Sequence, residues 1–126
     1  MRIALTNDDG VHAPGIAHLA RRLHEAGHDV VVCAPDGNLS GAGASTGADL
    51  RKIKGIAIEP TTVAGLEAHQ VSATPAVCSL LAVRGAFGEP VDFVMSGINP
   101  GTNMGPSVLH SGTVGAVVTA SNFGVP

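Results

Sequence analysis

The segment Ile3-Ala4-Leu5-Thr6-Asn7-Asp8-Asp9-Gly10 joins a short apolar run to an acidic turn. An apolar run that stops at turn residues is typical of a buried strand. The carboxylates of Asp8 and Asp9 would then lie at the carboxyl end of that strand, where open α/β sheets bind their ligands. Adjacent carboxylates repel each other, and a hard divalent cation relieves that repulsion. An Asx-type turn with a helix cap explains the same residues, so the segment alone leaves both interpretations open.

The residues after this turn predict a βαβ unit. Apolar residues recur at helical spacing between Gly15 and Ala26, and Gly27 suits the position just beyond a helix end. The run Val30–Ala34 is continuously apolar, as expected for a parallel strand that is covered on both faces. A strand, a helix and a second strand in this short space match the length of one βαβ unit.

Strands and helices continue to alternate along the rest of the chain. The further predicted elements are a strand at Ile53–Glu59, a turn or short hairpin at Thr61–Leu66, the end of a strand at Val71–Ser72, a helix from Thr74–Pro75 to about Phe87, and a strand at Val91–Met95. Ser111-Gly112-Thr113 then leads into a last predicted helix at Val114–Phe123. There is no repeat and no low-complexity linker, so residues 1–126 are expected to form one α/β domain. Gly124-Val125-Pro126 resembles the turn before another strand, and we expect a longer fold to continue there.

Composition narrows the classes of function. Charged residues make up 13% of the chain, and its seven Lys and Arg are spread thinly, so no basic patch indicates binding to a nucleic-acid duplex or a membrane surface. Trp and Tyr are absent, which predicts an aliphatic core. No apolar stretch reaches the ~18 residues of a membrane span, and we expect no signal peptide before the first strand. Cys33 and Cys78 are expected to be buried free thiols in a cytoplasmic protein.

Polar, glycine-rich loops follow three of the predicted strands: Thr6–Gly10, Asp36–Gly43 and Ser96–Thr113. In a parallel sheet these loops emerge at one edge, which favours a binding site there. The oxygen donors that they supply are Asp8, Asp9, Ser40 and Asn99. This all-oxygen set suits Mg²⁺ or Mn²⁺ rather than zinc. Taken singly, Ser40 and Asn99 are also explained as turn residues.

Ser111-Gly112-Thr113 at the start of the last predicted helix is a candidate anion site. Backbone N–H groups at a helix N-terminus, two hydroxyls and a glycine suit a phosphate. An ordinary N-cap explains the same residues, but opposite a metal site we favour the phosphate. Without a cysteine nucleophile or a Walker lysine, a metal and a phosphate site favour hydrolysis of a phosphate ester by activated water. His12 and His110 lie near this region and lack ligand spacing.

These motifs resemble those of the SurE survival-protein family, which are metal-dependent 5′(3′)-nucleotidases. The matching stretches are Thr6–Gly15, Ala34–Gly43, Thr74–Cys78, Ser96–Asn103 and Ser111–Ala116. The resemblance implies a Rossmann-like α/β fold with a three-layer, doubly wound and mostly parallel sheet. It also implies a nucleoside monophosphate substrate, one divalent ion (Mg²⁺ or Mn²⁺) and a homodimer or tetramer.

The resemblance further implies roles for individual residues. Asp8 and Asp9 are the expected catalytic residues, and together with Ser40 and Asn99 they are the expected metal ligands. The expected substrate and phosphate contacts are Asn7, Gly41, Asn103, Ser111, Gly112 and Thr113.

The chain departs from the family pattern in its loops. The unusual residues are Gly37 where Arg is frequent, Leu39 where Gln is frequent, Pro106-Ser107 where an acidic pair is usual, and His110 where Tyr is usual. Family members are also about twice as long, with a C-terminal part that continues the sheet and builds the dimer. The expected metal ligands are all present.

Two other classes of function are alternatives to a nucleotidase. A receiver domain of a signalling protein also places an acidic pair after its first strand, but it needs a lysine after a later strand. The two lysines of the chain, Lys52 and Lys54, lie in its least regular region. A catalytically impaired fragment of the nucleotidase fold would bind nucleotide and metal without turnover.

Overall fold

The computed structural model describes residues 1–47 and 55–126. Strands and helices alternate through these residues, and a 3₁₀ helix precedes the last α-helix. The elements are β1 (Arg2–Thr6), α1 (Pro14–Glu25), β2 (Asp29–Pro35), β3 (Ile58–Val63), β4 (Leu66–Val71), α2 (Pro75–Val83), β5 (Phe93–Ser96), the 3₁₀ helix (Gly105–His110) and α3 (Gly112–Asn122). No helix among the described residues is long and apolar enough to cross a membrane.

The five strands form one sheet in the order β3-β4-β2-β1-β5. All neighbouring pairs are parallel except the hairpin of β3 and β4. Strand β1 lies between β2 and β5, with Ile3 beside Val30 on one side and Phe93 on the other. The order of the strands therefore reverses at β1, and in such sheets the carboxyl ends of the strands at the reversal form the ligand-binding crevice.

Helices cover both faces of the sheet. Leu5 of β1 belongs to the same buried cluster as Ile16 of α1, whereas its neighbour Ala4 belongs to a cluster with Cys78 of α2 and Ala120 of α3. Successive side chains of a strand point to opposite faces, so α1 forms one outer layer and α2 with α3 forms the other. The predicted three-layer α/β fold with a mostly parallel sheet is confirmed, as is its aliphatic core.

The region before α2 differs from the sequence prediction. The strand expected at Ile53–Glu59 is β3, at Ile58–Val63, and Ile53 lies outside the described residues. The predicted turn or short hairpin at Thr61–Leu66 is the turn of the β3–β4 hairpin, with both Ala64 and Gly65 at positive φ. Pro60 weakened the strand pattern, and it is accommodated because β3 lies at the sheet edge.

Helix α2 begins where the sequence predicts and ends earlier. The Thr74 hydroxyl accepts a hydrogen bond from the Val77 backbone N–H, and Pro75 occupies the first turn. The helix ends at Val83 rather than near Phe87, because Gly85 adopts the left-handed conformation at φ 77° that follows many helices.

The last strand and the last helix of the chain lie close to their predicted positions. Strand β5 spans Phe93–Ser96 rather than Val91–Met95, and α3 begins after the predicted Ser111 cap. After α3 the chain returns to the sheet, where the Val94 N–H donates to the Pro126 carbonyl at 2.8 Å. Residue 126 therefore lies at the sheet edge beside β5.

Cys33 and Cys78 are buried free thiols, as predicted. Burial raises the pKa of both thiols, that of Cys78 to about 12. Because the thiolate is the reactive form, we expect neither cysteine to react with Ellman's reagent at neutral pH while the chain is folded. Both should react after unfolding in urea. Rapid labelling of either cysteine under native conditions would show that the core between β2 and α2 is open.

Candidate functional site

The turn after β1 is braced by Asn7. Its Oδ1 accepts a hydrogen bond from the Gly10 N–H at 3.2 Å, and its Nδ2 donates to the Gly10 carbonyl at 2.9 Å. Gly10 has φ 107°, a backbone conformation that residues other than glycine rarely adopt. Asn7 is fully buried with both amide groups engaged in this turn. Its assignment to substrate binding remains a prediction, and these contacts give it no support.

Asp8 is held between the loop after β2 and the start of α3. Its side chain is almost fully buried, and its Oδ1 accepts a hydrogen bond of 2.7 Å from the Thr113 hydroxyl. Its backbone carbonyl accepts a bond of 2.7 Å from the Leu39 N–H. Gly112 approaches so closely that a Cβ there would lie 2.7 Å from the Asp8 Cβ. The position of this carboxylate is thus fixed from three directions.

Asp9 is partly exposed, but its Oδ2 is buried and has no hydrogen-bond partner among the described residues. Burial, and to a lesser degree the charge of Asp8, raises the pKa of Asp9. A buried carboxylate oxygen without a donor is unfavourable. A cation would supply the missing partner of this oxygen. The surroundings of Asp8 and Asp9 therefore fit a bound metal ion.

The three polar loops meet at the carboxyl edge of the sheet, as predicted. The Gly97 N–H donates to the Thr6 carbonyl at 2.9 Å, and the Gly43 N–H donates to the His110 carbonyl at 3.0 Å. Gly115 of α3 lies against the loop after β2, where an added Cβ would be 2.2 Å from the Gly43 carbonyl oxygen. Backbone contacts therefore lock the loops to one another.

Ser40 and Asn99, the two expected neutral metal ligands, lie on different loops of this edge. Ser40 is exposed, and its backbone N–H donates to the Asn38 side chain at 2.9 Å. The Asn99 Nδ2 donates to the Gly101 carbonyl at 3.0 Å, which leaves Oδ1 as the amide atom that a ligand would meet. Both residues thus make contacts typical of turn residues, which is the alternative explanation for each of them. Their roles as metal ligands stay predictions.

The described residues contain no group of three or more His, Cys, Asp and Glu side chains that could hold a metal ion. A metal at this edge would therefore depend on the two carboxylates and on neutral oxygens. Such a set suits Mg²⁺ or Mn²⁺ and not zinc, which favours nitrogen and sulfur ligands.

The N-terminus of α3 carries the candidate anion site. The Ser111 hydroxyl caps the helix by accepting a bond from the Val114 N–H at 3.1 Å, while the Thr113 hydroxyl donates to Asp8. The backbone N–H groups of Gly112 and Thr113 have no partner within the helix, as in every helix N-terminus. These N–H groups are the donors best suited to phosphate oxygens.

For two expected substrate contacts, Gly41 and Asn103, the described residues show no side-chain hydrogen bond that defines a role. Gly41 is an exposed loop residue at φ 91°, and Asn103 is half-buried before the 3₁₀ helix. Both stay predictions.

Sequence reasoning missed the role of Gly15, at the start of α1. A Cβ at this position would lie 2.2 Å from the Ile98 carbonyl oxygen, so Gly15 allows α1 to touch the loop after β5. In the sequence, the presence of a glycine at this position was the one indication of such a close contact.

The chain is similar to known proteins along its whole length. The protein family described as Survival protein SurE matches residues 3–126. A 5′-nucleotidase SurE from Dehalococcoides mccartyi is 41% identical over 126 residues, which is all of this chain and 46% of the relative. A 5′-nucleotidase SurE from Haemophilus ducreyi is 43% identical over 129 residues, with 47% of the relative covered.

The crystal structure of a SurE protein from Aquifex aeolicus has a similar fold, with a TM-score of 0.81 and 34% sequence identity. The similarity covers all of this chain and 48% of that structure. The chain thus spans about half the length of the relatives that it matches.

Proposed function

The chain belongs to the SurE family, and from this we propose that it is a metal-dependent phosphomonoesterase that hydrolyses nucleoside 5′(3′)-monophosphates to nucleoside and phosphate. The relatives carry the name 5′-nucleotidase. The observation that carries the proposal is the contact between Asp8 and Thr113, which joins the acidic pair to the start of α3. A candidate metal site and a candidate phosphate site thereby become neighbours in the crevice where such sheets bind ligands.

In this proposal Asp8 and Asp9 anchor one divalent ion, with Ser40 and Asn99 as further ligands. Two observations support a cation at the pair: Asp9 Oδ2 has no hydrogen-bond partner in the described part of the chain, and the pKa of the Asp9 carboxyl is raised. The all-oxygen donor set favours Mg²⁺ or Mn²⁺. When bound, such an ion supplies a more acidic water and polarises the phosphoryl oxygens.

The helix N-terminus has a separate task. The N–H groups of Gly112 and Thr113 would hold the phosphate oxygens and stabilise the charge that develops on them in the transition state. The Thr113 hydroxyl orients Asp8 through its 2.7 Å hydrogen bond. Thr113 thus serves both sites, with its hydroxyl on one side and its N–H on the other.

Thr113→Val tests this orienting role, because it removes the hydroxyl and keeps the shape and the backbone N–H. A hydrogen bond to a charged group contributes about 1.5–3 kcal/mol, so we expect kcat/KM to fall about tenfold to a hundredfold. The concentration of Mn²⁺ for half-maximal activity should rise as well. Thr113→Ser should behave like the unmodified chain. Equal metal dependence in the Val and Ser variants would remove Thr113 from the site.

The proposed function is tested by phosphate release from the 5′- and 3′-monophosphates of adenosine, guanosine, cytidine and uridine. The purified chain, shown to be folded by circular dichroism, is assayed with Mn²⁺, with Mg²⁺ and with EDTA. We expect release with metal, none with EDTA, and recovery when Mn²⁺ is restored in excess. Release that persists in EDTA would rule out the metal.

The main alternative is a fragment that binds nucleotide and metal without turnover, since the chain spans about half of its relatives. Saturable binding of both without phosphate release would favour it. The receiver-domain alternative is not retained, because the chain belongs to another family.

We also propose a cytoplasmic location and a homodimeric or tetrameric assembly. Two free thiols in the core support a reducing compartment. Met104 and Leu109 are apolar and 70% and 79% exposed, which favours further burial of this surface in an assembly.

A further inference from the structure

An apolar pocket beside Asp9 is not used by any of the roles described above. It has a volume of about 410 Å³, within the range of small-molecule sites. Its lining residues are Asp9, Ala13, Pro14, Gly15, Ile98 and Pro100. Within this described lining, Asp9 contributes the one polar side chain. A metal site and an apolar pocket therefore share one carboxylate.

The fold builds this pocket from two separate segments. One wall is Ala13–Gly15 at the start of α1, and the other is formed by Ile98 and Pro100 in the loop after β5. Gly15 lets the walls meet, since no Cβ stands between it and the Ile98 carbonyl. Ile98 itself remains 50% exposed. An apolar residue is thus kept accessible at the rim of a polar site.

We propose that this pocket binds the leaving nucleoside of the substrate, with Ile98 and Pro100 against the flat face of the base. This inference rests on the proposed function. Because Asp9 lines the pocket, a group bound there is within reach of a phosphate held at the acidic pair. Apolar walls disfavour a second phosphate or another charged group, which would lose its hydration. They suit the face of a heteroaromatic ring, whose burial is favourable.

The same lining predicts weak discrimination between bases. Strong selection between similar ligands needs buried hydrogen-bonding groups that are left unpaired by the wrong ligand. The described lining offers no side-chain donor to a base edge. We therefore expect the kcat/KM values of the four nucleoside 5′-monophosphates to lie within about tenfold of one another.

The decisive variant is Ile98→Ala, assayed on adenosine monophosphate and on methyl phosphate. We expect kcat/KM for the nucleotide to fall about tenfold, as for loss of a few methylene groups from a hydrophobic pocket. Methyl phosphate has no base, so its hydrolysis should be unchanged. Ile58→Ala is the matched control, because Ile58 is 41% exposed on the edge strand β3 and should alter neither substrate. An equal loss on both substrates, or no loss on the nucleotide, overturns the pocket assignment.

A binding measurement separates failure of the pocket from failure of the proposed function. Adenosine is titrated into the Mn²⁺-free chain, and the amide signals of Ala13 and Gly15 are followed by NMR. We expect saturable shifts, with an affinity about tenfold weaker in Ile98→Ala. If neither phosphate ester is hydrolysed but adenosine binds in this way, the nucleotidase activity fails and the pocket stands. If phosphate is released but adenosine does not perturb these amides, the pocket fails and the activity stands.

Discussion

Replacing Asp9 with Asn should reduce phosphate release about a thousandfold and leave the chain folded. The substitution keeps the shape of the side chain and removes the charge that the proposed metal site needs. A metal ion contributes several kcal/mol to the stabilisation of a phosphoryl transition state. Since each 1.36 kcal/mol changes a rate tenfold, losing the ion costs about three orders of magnitude. Initial rates of both proteins, at the Mn²⁺ concentration that saturates the unmodified chain, measure the effect.

The stability of Asp9→Asn separates a ligand role from simple unfolding. The pKa of Asp9 is raised in the folded chain from its ordinary 3.8, so the folded state binds this proton more tightly than the unfolded state does. Ionisation of the Asp9 carboxyl therefore lowers the free energy of unfolding as pH rises from the unfolded-state pKa through the higher folded-state pKa. The full loss of stability is present at neutral pH. In EDTA, the variant should melt at the same or a higher temperature than the unmodified chain at neutral pH. The difference should vanish in acid.

Asp36→Asn is the matched control for this substitution. Asp36 is an exposed carboxylate directly after β2, outside the acidic pair. We expect it to retain both turnover and thermal stability. Near-normal turnover of Asp9→Asn, or an equal loss in Asp36→Asn, would remove the special role of Asp9.

Gly112→Ala should lower both stability and activity. A Cβ at this position would lie 2.7 Å from the Asp8 Cβ and 3.0 Å from Asp8 Oδ2. Asp8 is buried and is held by Thr113 and Leu39, so it cannot retreat without breaking those bonds. Overpacking of this kind costs about 1–3 kcal/mol of unfolding free energy. Displacing a catalytic group by about 1 Å costs about a hundredfold in rate.

Urea unfolding and phosphate release measure the two effects of Gly112→Ala. Gly37→Ala provides the comparison, because an added Cβ there meets no atom of the described residues within 4 Å and its φ is not in the left-handed region. It should change neither quantity. If Gly112→Ala is as stable and as active as Gly37→Ala, the close contact between α3 and Asp8 does not exist in solution.

The fold was largely predictable because its signals are local. Thr74–Pro75 and Ser111 begin helices where the sequence indicates, and the run Val30–Ala34 is the centre of β2. The hairpin of β3 and β4 was misplaced because its signals are weak. Pro60 interrupts the strand pattern, and Ala64 adopts a positive φ although alanine in a sequence does not indicate such a turn.

The candidate site was predictable in its location and not in its contacts. Parallel strands place their following loops at one edge, so the meeting of the polar loops follows from topology. The bond between Thr113 and Asp8 joins residues 105 positions apart, which no local pattern encodes. The accessible side chain of Ile98 was also missed, because an isolated apolar residue in a loop looks the same in sequence whether it is buried or lines a pocket.

The most direct test of the proposed metal site is a count of bound Mn²⁺, from the electron paramagnetic resonance signal of the free ion during titration. This measurement depends neither on turnover nor on the identity of the base. We expect one Mn²⁺ to bind saturably to the unmodified chain and to Asp36→Asn, and none to bind saturably to Asp9→Asn. Equal binding by the unmodified chain and Asp9→Asn would contradict a metal site at the acidic pair.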